Sequence, residues 1–321
     1  MRSAPLGNVL RLTCLLVCAG LAASRLGLIV HELGGHGGFA IVQGGEITDL
    51  RLFWFAGGWI GYSLDEPTAA GMLAASMGGL IVELVLGGAL WFGLARSDRL
   101  ATKAKQTRLG IRIIRGIGAA LVAHAWWYFA TGTWHGYGDG LPSHRAFGDA
   151  RYPVAIAAGL VTCVVAFGCA RLVLGAFTAV LPGRHRIGVA IAMAVSAVVL
   201  AAPAVVEVRV RGDSRYGTIM KREGDRLAER ELIAWQREMK RRGTTIDQTV
   251  RATEARRLAE RHRQPPFMPV LAVLVAVAIA LGAWRARVAP GAAITRRVLV
   301  TAALVAAGSL TAVIALDAAF H

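Results

Sequence analysis

Apolar residues run along this chain in blocks too long for the core of a soluble domain. The first extends from about Val9 to Val42, broken only by Arg11, Arg25 and a short His/Glu cluster. Further blocks lie at about 69–95, 109–131, 152–181, 187–206, 267–284 and 297–317. Each is near or beyond the roughly 20 residues a helix needs to cross a hydrocarbon core. The pattern therefore predicts an all-α polytopic membrane protein with about seven transmembrane helices. The first block exceeds one crossing at about 1.5 Å per residue, so it reads as one long tilted helix or as two pieces meeting near Arg25. Its start, with Arg2, Arg11 and the small residues Ala22-Ala23-Ser24, has the outline of a secretory signal. The apolar pattern continues through Leu26 to Val30, which argues against cleavage.

After the first block the period changes. Glu46 to Trp54 alternates imperfectly, Phe55-Ala56-Gly57-Gly58 offers a turn, and Trp59-Ile60-Gly61-Tyr62 follows, which predicts a small membrane-associated β-hairpin. Lipid cannot satisfy the edges of an open hairpin, so it belongs at the interface or against protein. One sizeable polar region covers 207–264. In it Arg222 to Arg242 and Ile246 to Arg263 read as charged helices separated by Gly243-Thr244-Thr245, with Thr245 as the second N-cap. Leu227, Ile233, Trp235 and Met239 give a modest apolar face, and mixed-sign charge favours a solvated linker over a docking arm. The chain thus divides into a membrane core over 1–150, additional transmembrane helices over 151–206, a polar helical extramembrane segment over 207–264 and a C-terminal transmembrane pair over 265–321.

Composition agrees with a bilayer. Of 321 residues 55% are hydrophobic and only 17% charged, against about 25% charged in soluble proteins. The net charge of +16 looks at first like a nucleic-acid signal. Its carriers, among them Arg96, Arg99, Lys103, Lys105 and Arg108, cluster in short loops between apolar blocks, as cytoplasmic loops do. No basic face with groove-reading or aromatic elements is present, so nucleic acid is not an expected partner. Placing the loops 96–108, 182–186 and 285–297 in the cytoplasm puts the N-terminus there. The hairpin, 132–151, 207–264 and the C-terminus then lie outside. Cys14, Cys18, Cys163 and Cys169 all fall inside apolar stretches. Cys14 and Cys18 stand one turn apart, a spacing open to a metal pair, but cysteine as a small buried hydrophobe is the commoner case.

The chemistry concentrates in Ile29-Val30-His31-Glu32-Leu33-Gly34-Gly35-His36-Gly37-Gly38. Ionisable side chains within an apolar helix are costly and point to function. In a His-Glu-x-x-His helix, two imidazoles one turn apart bind zinc and the Glu acts on water. Here the histidines are five apart, and on a regular helix they diverge by about 140°. Two repairs are open. A π-bulge at Gly34-Gly35 absorbs the extra residue, or Glu32 and His36, four apart, share the metal. We take the bulge as the expectation. Asp139, in the break Gly136-Tyr137-Gly138-Asp139-Gly140, is a candidate third ligand, since carboxylate commonly completes such sites. His135 is the reserve ligand, and an external loop meeting water is the alternative.

These residues resemble the site-2 protease family (M50) of intramembrane zinc metallopeptidases, most closely its small bacterial branch. The likeness rests on Val30-His31-Glu32-Leu33-Gly34-Gly35-His36, Phe39-Ala40, Gly44-Gly45, the hairpin, the glycines Gly71, Gly78, Gly79, Gly87 and Gly88, and Asp139-Gly140. It covers roughly 10–150. The family's Gly-Pro and Asn in the second helix, and the Asn and Pro before Asp-Gly, are missing. The resemblance implies Zn2+ held by His31, His36 and Asp139, Glu32 as catalytic base, a membrane-protein or peptide substrate added as a strand to the hairpin, and residence in a bacterial cytoplasmic membrane. It also implies a cytoplasmic hairpin, against the external one the charges favour. Two other readings stay open: an inactive member of the same fold, and a transporter or channel using Glu83, Arg171 and the histidines. Glu83 lies mid-span and needs a partner among Arg171, His124 and a ligand imidazole. Trp126, Trp127 and Tyr128 read as an interfacial aromatic belt.

Overall fold

The computed structural model describes residues 4–95, 97, 105–177, 185–286 and 294–321. The basic loops at 96–108, 182–186 and 285–297 fall largely outside the described residues. Among the described residues, seven helices are long and apolar enough to cross a membrane, so the chain is a multi-pass integral membrane protein. Helix α1 is continuous. It is α-helical over Ala4–Ile29, π-helical over Val30–Gly37, and α-helical again over Gly38–Val42. Strands β1 (Glu46–Leu52) and β2 (Gly58–Ser63) follow, then α2 (Ala69–Gly88, ending in a π turn, Ala89–Gly93) and α3 (Lys105–His135). A 3-10 turn, Gly138–Gly140, leads into the short α4 (Leu141–Phe147) and the long α5 (Arg151–Phe177). After α6 (His185–Arg211) come three polar helices, α7 (Ser214–Ile219), α8 (Glu223–Arg241) and α9 (Gln248–Arg261). The chain closes with α10 (Phe267–Trp284) and α11 (Arg296–Phe320).

The hairpin is antiparallel, with Leu50 opposite Ile60 and Leu52 opposite Gly58. A register irregularity between Ile47 and Asp49 accounts for the broken alternation of the sequence. Lipid does not have to satisfy this hairpin, because charged side chains from three helices do. Arg25 of α1 donates to the carbonyls of Phe53 (2.6 Å) and Phe55 (3.1 Å). Glu207 of α6 accepts from the backbone N–H groups of Trp54 (2.7 Å), Phe55 (2.6 Å) and Ala56 (3.1 Å). Asp317 of α11 accepts from Leu52 N–H at 3.0 Å, and Arg211 bridges Glu207 and Asp317 at 2.6 Å each. Arg25, Glu207 and Asp317 are all buried. The charge that seemed to threaten a break in α1 is thus taken up by the hairpin turn, and the helix runs straight through it.

These contacts gather the hairpin, the end of α6 and the end of α11 at one face of the bundle. The 207–264 segment joins them there. Arg215 pairs with Asp49 (3.0 Å), Arg145 with Glu223 (3.2 Å), and Gln264 meets His135 (2.9 Å). Against the expectation of a solvated linker, the segment is docked. Its boundary also shifts, since α6 reaches Arg211 and Glu207 is buried inside the bundle. The second charged helix is preceded by Asp247 at the N-cap instead of Thr245, because the extended residue that turns the chain into α9 lies two positions later.

Two outcomes test this arrangement. With the native cysteines replaced by alanine, Thr244→Cys and His321→Cys are both labelled by an impermeant maleimide from the same side of sealed vesicles. Labelling from opposite sides contradicts the seven crossings. Glu207→Ala strands three backbone donors and leaves Arg211 with Asp317 alone, so equilibrium unfolding in mixed micelles should show a loss of about 3 kcal/mol; a change within experimental error means the cluster does not hold the hairpin.

Candidate metal centre

The π-helical stretch of α1 carries the cluster. An i→i+5 backbone register is wider than an α turn, and it brings His31 and His36 toward one face, with ring centroids 5.1 Å apart. The sequence placed the extra residue at Gly34-Gly35, and the π register extends over all of Val30–Gly37. Packing explains the glycines. A Cβ on Gly35 would overlap the backbone of Gly78 and Gly79 in α2, so α1 and α2 touch main chain to main chain. A Cβ on Gly79 would overlap the His31 imidazole. The small-residue stripe of α2 is therefore the wall against which His31 is set.

Asp139 enters from the opposite side on the 3-10 turn after α3. His31 Nε2 lies 3.1 Å from its Oδ2 and His36 Nε2 lies 3.3 Å from its Oδ1. Among the described residues these three form a group able to hold a metal ion, with ligand atoms within 4.8 Å of one another. His31, Glu32 and His36 are 6%, 5% and 7% exposed, far below what an ionisable side chain shows when its role is to meet water.

The far side of each ring decides what the near side can do. His36 Nδ1 is 2.7 Å from the carbonyl of Ala75, which can only accept, so Nδ1 carries the proton and Nε2 keeps its lone pair. His31 Nδ1 faces Glu83 Oε1 at 3.5 Å, a second acceptor behind a candidate ligand. The Nε2 atoms of both rings point at the Asp139 carboxylate, at 3.1 Å from Oδ2 and 3.3 Å from Oδ1. A proton on either imidazole or a metal ion can bridge nitrogen and carboxylate oxygen at these distances. Nitrogen and oxygen ligands roughly 2.0–2.2 Å from one tetrahedral ion stand about 3.3–3.6 Å apart, so the separations of 3.1 and 3.3 Å are close to those around one shared cation.

Glu83 is the carboxylate whose partner the sequence left open. It joins His124 Nδ1 (2.9 Å) and His31, while Arg171 is exposed and not among its partners. His135 is not in the cluster. It turns toward Gln264 of the polar segment, and His144 toward the Thr133 carbonyl (2.9 Å). Cys14 and Cys18 are free thiols, Cys14 exposed on the first helix.

The cluster opens into a cavity of about 870 Å³, within the range of small-molecule and peptide sites. Glu32 lines it beside the imidazoles, and so do Gly58, Trp59 and Ile60 of β2. The ladder alternation gives β2 its orientation. Leu50 and Leu52 turn their N–H groups outward, to Asp49 Oδ1 and Asp317, so their partners Ile60 and Gly58 turn theirs to the free edge of β2, away from β1.

Three cavity residues were not singled out as site residues from the sequence. Trp127 and Tyr128 were read as an interface belt, yet they line the cavity together with His124. His124 and Tyr128 are four apart on α3, the spacing of one helix face, which was the available signal. Tyr216 of α7 comes from the polar segment, packing edge-on against Phe53 at 4.9 Å. Burial, with the Glu32 carboxylate nearby, holds its phenol above the usual range, so it stays neutral. No sequence spacing links it to the site. Compared with family models, with curated proteins and with solved structures, the chain matches none.

Metal analysis of purified protein should find bound ion in the native chain and none in His36→Ala. Gly79→Ala, whose added methyl group meets the His31 ring at Nε2, should weaken metal affinity about 100-fold by displacing that ring. Native affinity in Gly79→Ala would show that the wall does not set the imidazole.

Proposed function

We propose that this chain is a zinc-dependent intramembrane metallopeptidase, resembling the site-2 protease family and residing in a bacterial cytoplasmic membrane. The observation that carries the reading is the π-helical register of α1, which turns His31 and His36 together onto Asp139 with Glu32 beside them. Two imidazole nitrogens and one carboxylate form a donor set common to hydrolytic zinc sites with a free fourth position. Zinc, when bound, lowers the pKa of a water and polarises a carbonyl.

The chain's own residues then have separable tasks. The Glu32 carboxylate takes the proton from the attacking water and delivers it to the leaving amine. Ala75 O and Glu83 fix the two rings by their Nδ1 edges. The free edge of β2 offers backbone donors and acceptors to an extended peptide, so a substrate segment leaving its helical state can pair there as an added strand. The substrates are membrane-embedded proteins or peptides, reached within the bilayer.

The test is cleavage of fluorescent single-span peptides by the zinc-loaded protein in proteoliposomes. Glu32→Gln should reduce cleavage at least 1,000-fold, on the order expected for loss of a general base together with its proton delivery, with zinc content unchanged. Unchanged cleavage in Glu32→Gln overturns the mechanism. A zinc-loaded native protein that binds such peptides without cutting them is an inactive member of the same fold.

A further inference from the structure

Peptide hydrolysis places negative charge on the carbonyl oxygen, and a fixed hydrogen-bond donor aimed at that oxygen accelerates the step. Glu32 as a base does not supply one, so a donor must come from elsewhere in the cavity. The hydroxyls there differ in how well they are engaged. Tyr137 donates to Thr131 Oγ1 at 2.7 Å and is used up in that bond. Tyr128 has the Met220 thioether as its acceptor, at 3.9 Å, a weak partner that a carbonyl oxygen easily displaces.

The position of Tyr128 is fixed from several sides. Its ring lies 6.2 Å from that of His31, 6.0 Å from His124 in a stacked arrangement, and 5.9 Å from Tyr137. Its hydroxyl rests on Gly138, the residue before Asp139, in the space a Cβ there would occupy. Gly138 has φ of +50°, so both the backbone shape and the room for the phenol require glycine at this position. The side chain lines the same cavity as His31, Glu32 and Asp139.

From this geometry we propose that Tyr128 is a catalytic residue whose hydroxyl donates a hydrogen bond to the scissile carbonyl oxygen and to the negative charge that develops on it. The inference rests on the peptidase reading. No proton is transferred by Tyr128; the phenol keeps its hydrogen and exchanges a sulfur acceptor for an oxygen.

Tyr128→Phe removes the hydroxyl and retains the ring contacts. In the proteoliposome assay kcat should fall about 100-fold with KM within about twofold, the split expected for a donor that acts in the transition state. Zinc content should stay at the native level. A dileucine phosphinic peptide, whose tetrahedral acid carries the charge of the developing oxyanion, should bind the zinc-loaded variant about 100-fold more weakly by calorimetry. An uncleavable N-methylated peptide should bind both proteins alike. Native kcat and native phosphinate affinity in Tyr128→Phe overturn the proposal and leave the peptidase reading standing. Loss of zinc in the variant also overturns it, because the hydroxyl would then be holding the site. A native protein that cuts nothing under these conditions removes the peptidase reading itself, and the two failures are told apart by the native control.

Discussion

Two imidazoles five residues apart can face one carboxylate only where the helix that carries them is wound wider than an α-helix. The π register over Val30–Gly37 provides that winding, and much of the molecule near the site is arranged to keep it. A π turn is poorly favoured on its own, so it needs support from outside. Gly35 against Gly78 and Gly79 supplies a main-chain contact between α1 and α2 that no larger residue permits. The carbonyl of Ala75 and the carboxylate of Glu83, both on α2, hold the backs of the two rings. One helix supplies the ligands and its neighbour fixes their orientation.

The second requirement is a place for polar backbone at membrane depth. The hairpin turn brings exposed N–H and C=O groups next to lipid-facing helices, where an unsatisfied group costs several kcal/mol. Arg25, Glu207, Arg211 and Asp317 meet that requirement as a group of two positive and two negative side chains drawn from α1, α6 and α11. Their burial is tolerable because Arg25 is taken up by backbone carbonyls, Glu207 and Asp317 accept from backbone N–H groups, and Arg211 pairs with both carboxylates. Helices outside the 10–150 region of resemblance therefore have a physical task. They fix the turn from which β2 runs along the cavity.

The polar segment belongs to the same construction. Its α7 places Tyr216 against Phe53 and Arg215 against Asp49 and over the ring of Trp59 at 4.0 Å, and Gln264 receives His135. A segment of mixed charge is ordinarily a solvated face. Here a few residues at its two ends dock on the hairpin and on the end of α3 while much of the charged stretch between them is exposed, which is why its average composition conceals the contact.

Length and apolarity alone determined the seven crossings, because a helix of given length either spans the hydrocarbon core or does not. Turn residues and alternation located the hairpin, and the spacing of His31 and His36 required an unusual helical register for a shared metal. Those are local properties, written in consecutive residues. Tertiary structure decided the rest. It chose Asp139 over His135 for the cluster, since only the 3-10 turn at Gly138–Gly140 faces the imidazoles while His135 points to a segment more than 120 residues later. It gave Glu83 to His31 and His124 instead of Arg171, and it turned Tyr128 from an apparent belt residue into a cavity wall. It also drew Glu207, Arg211 and Asp317 to the hairpin across 150 residues or more. Such pairings depend on which helix faces lie together, and helix packing is set by the sum of many small contacts that no single stretch of sequence displays.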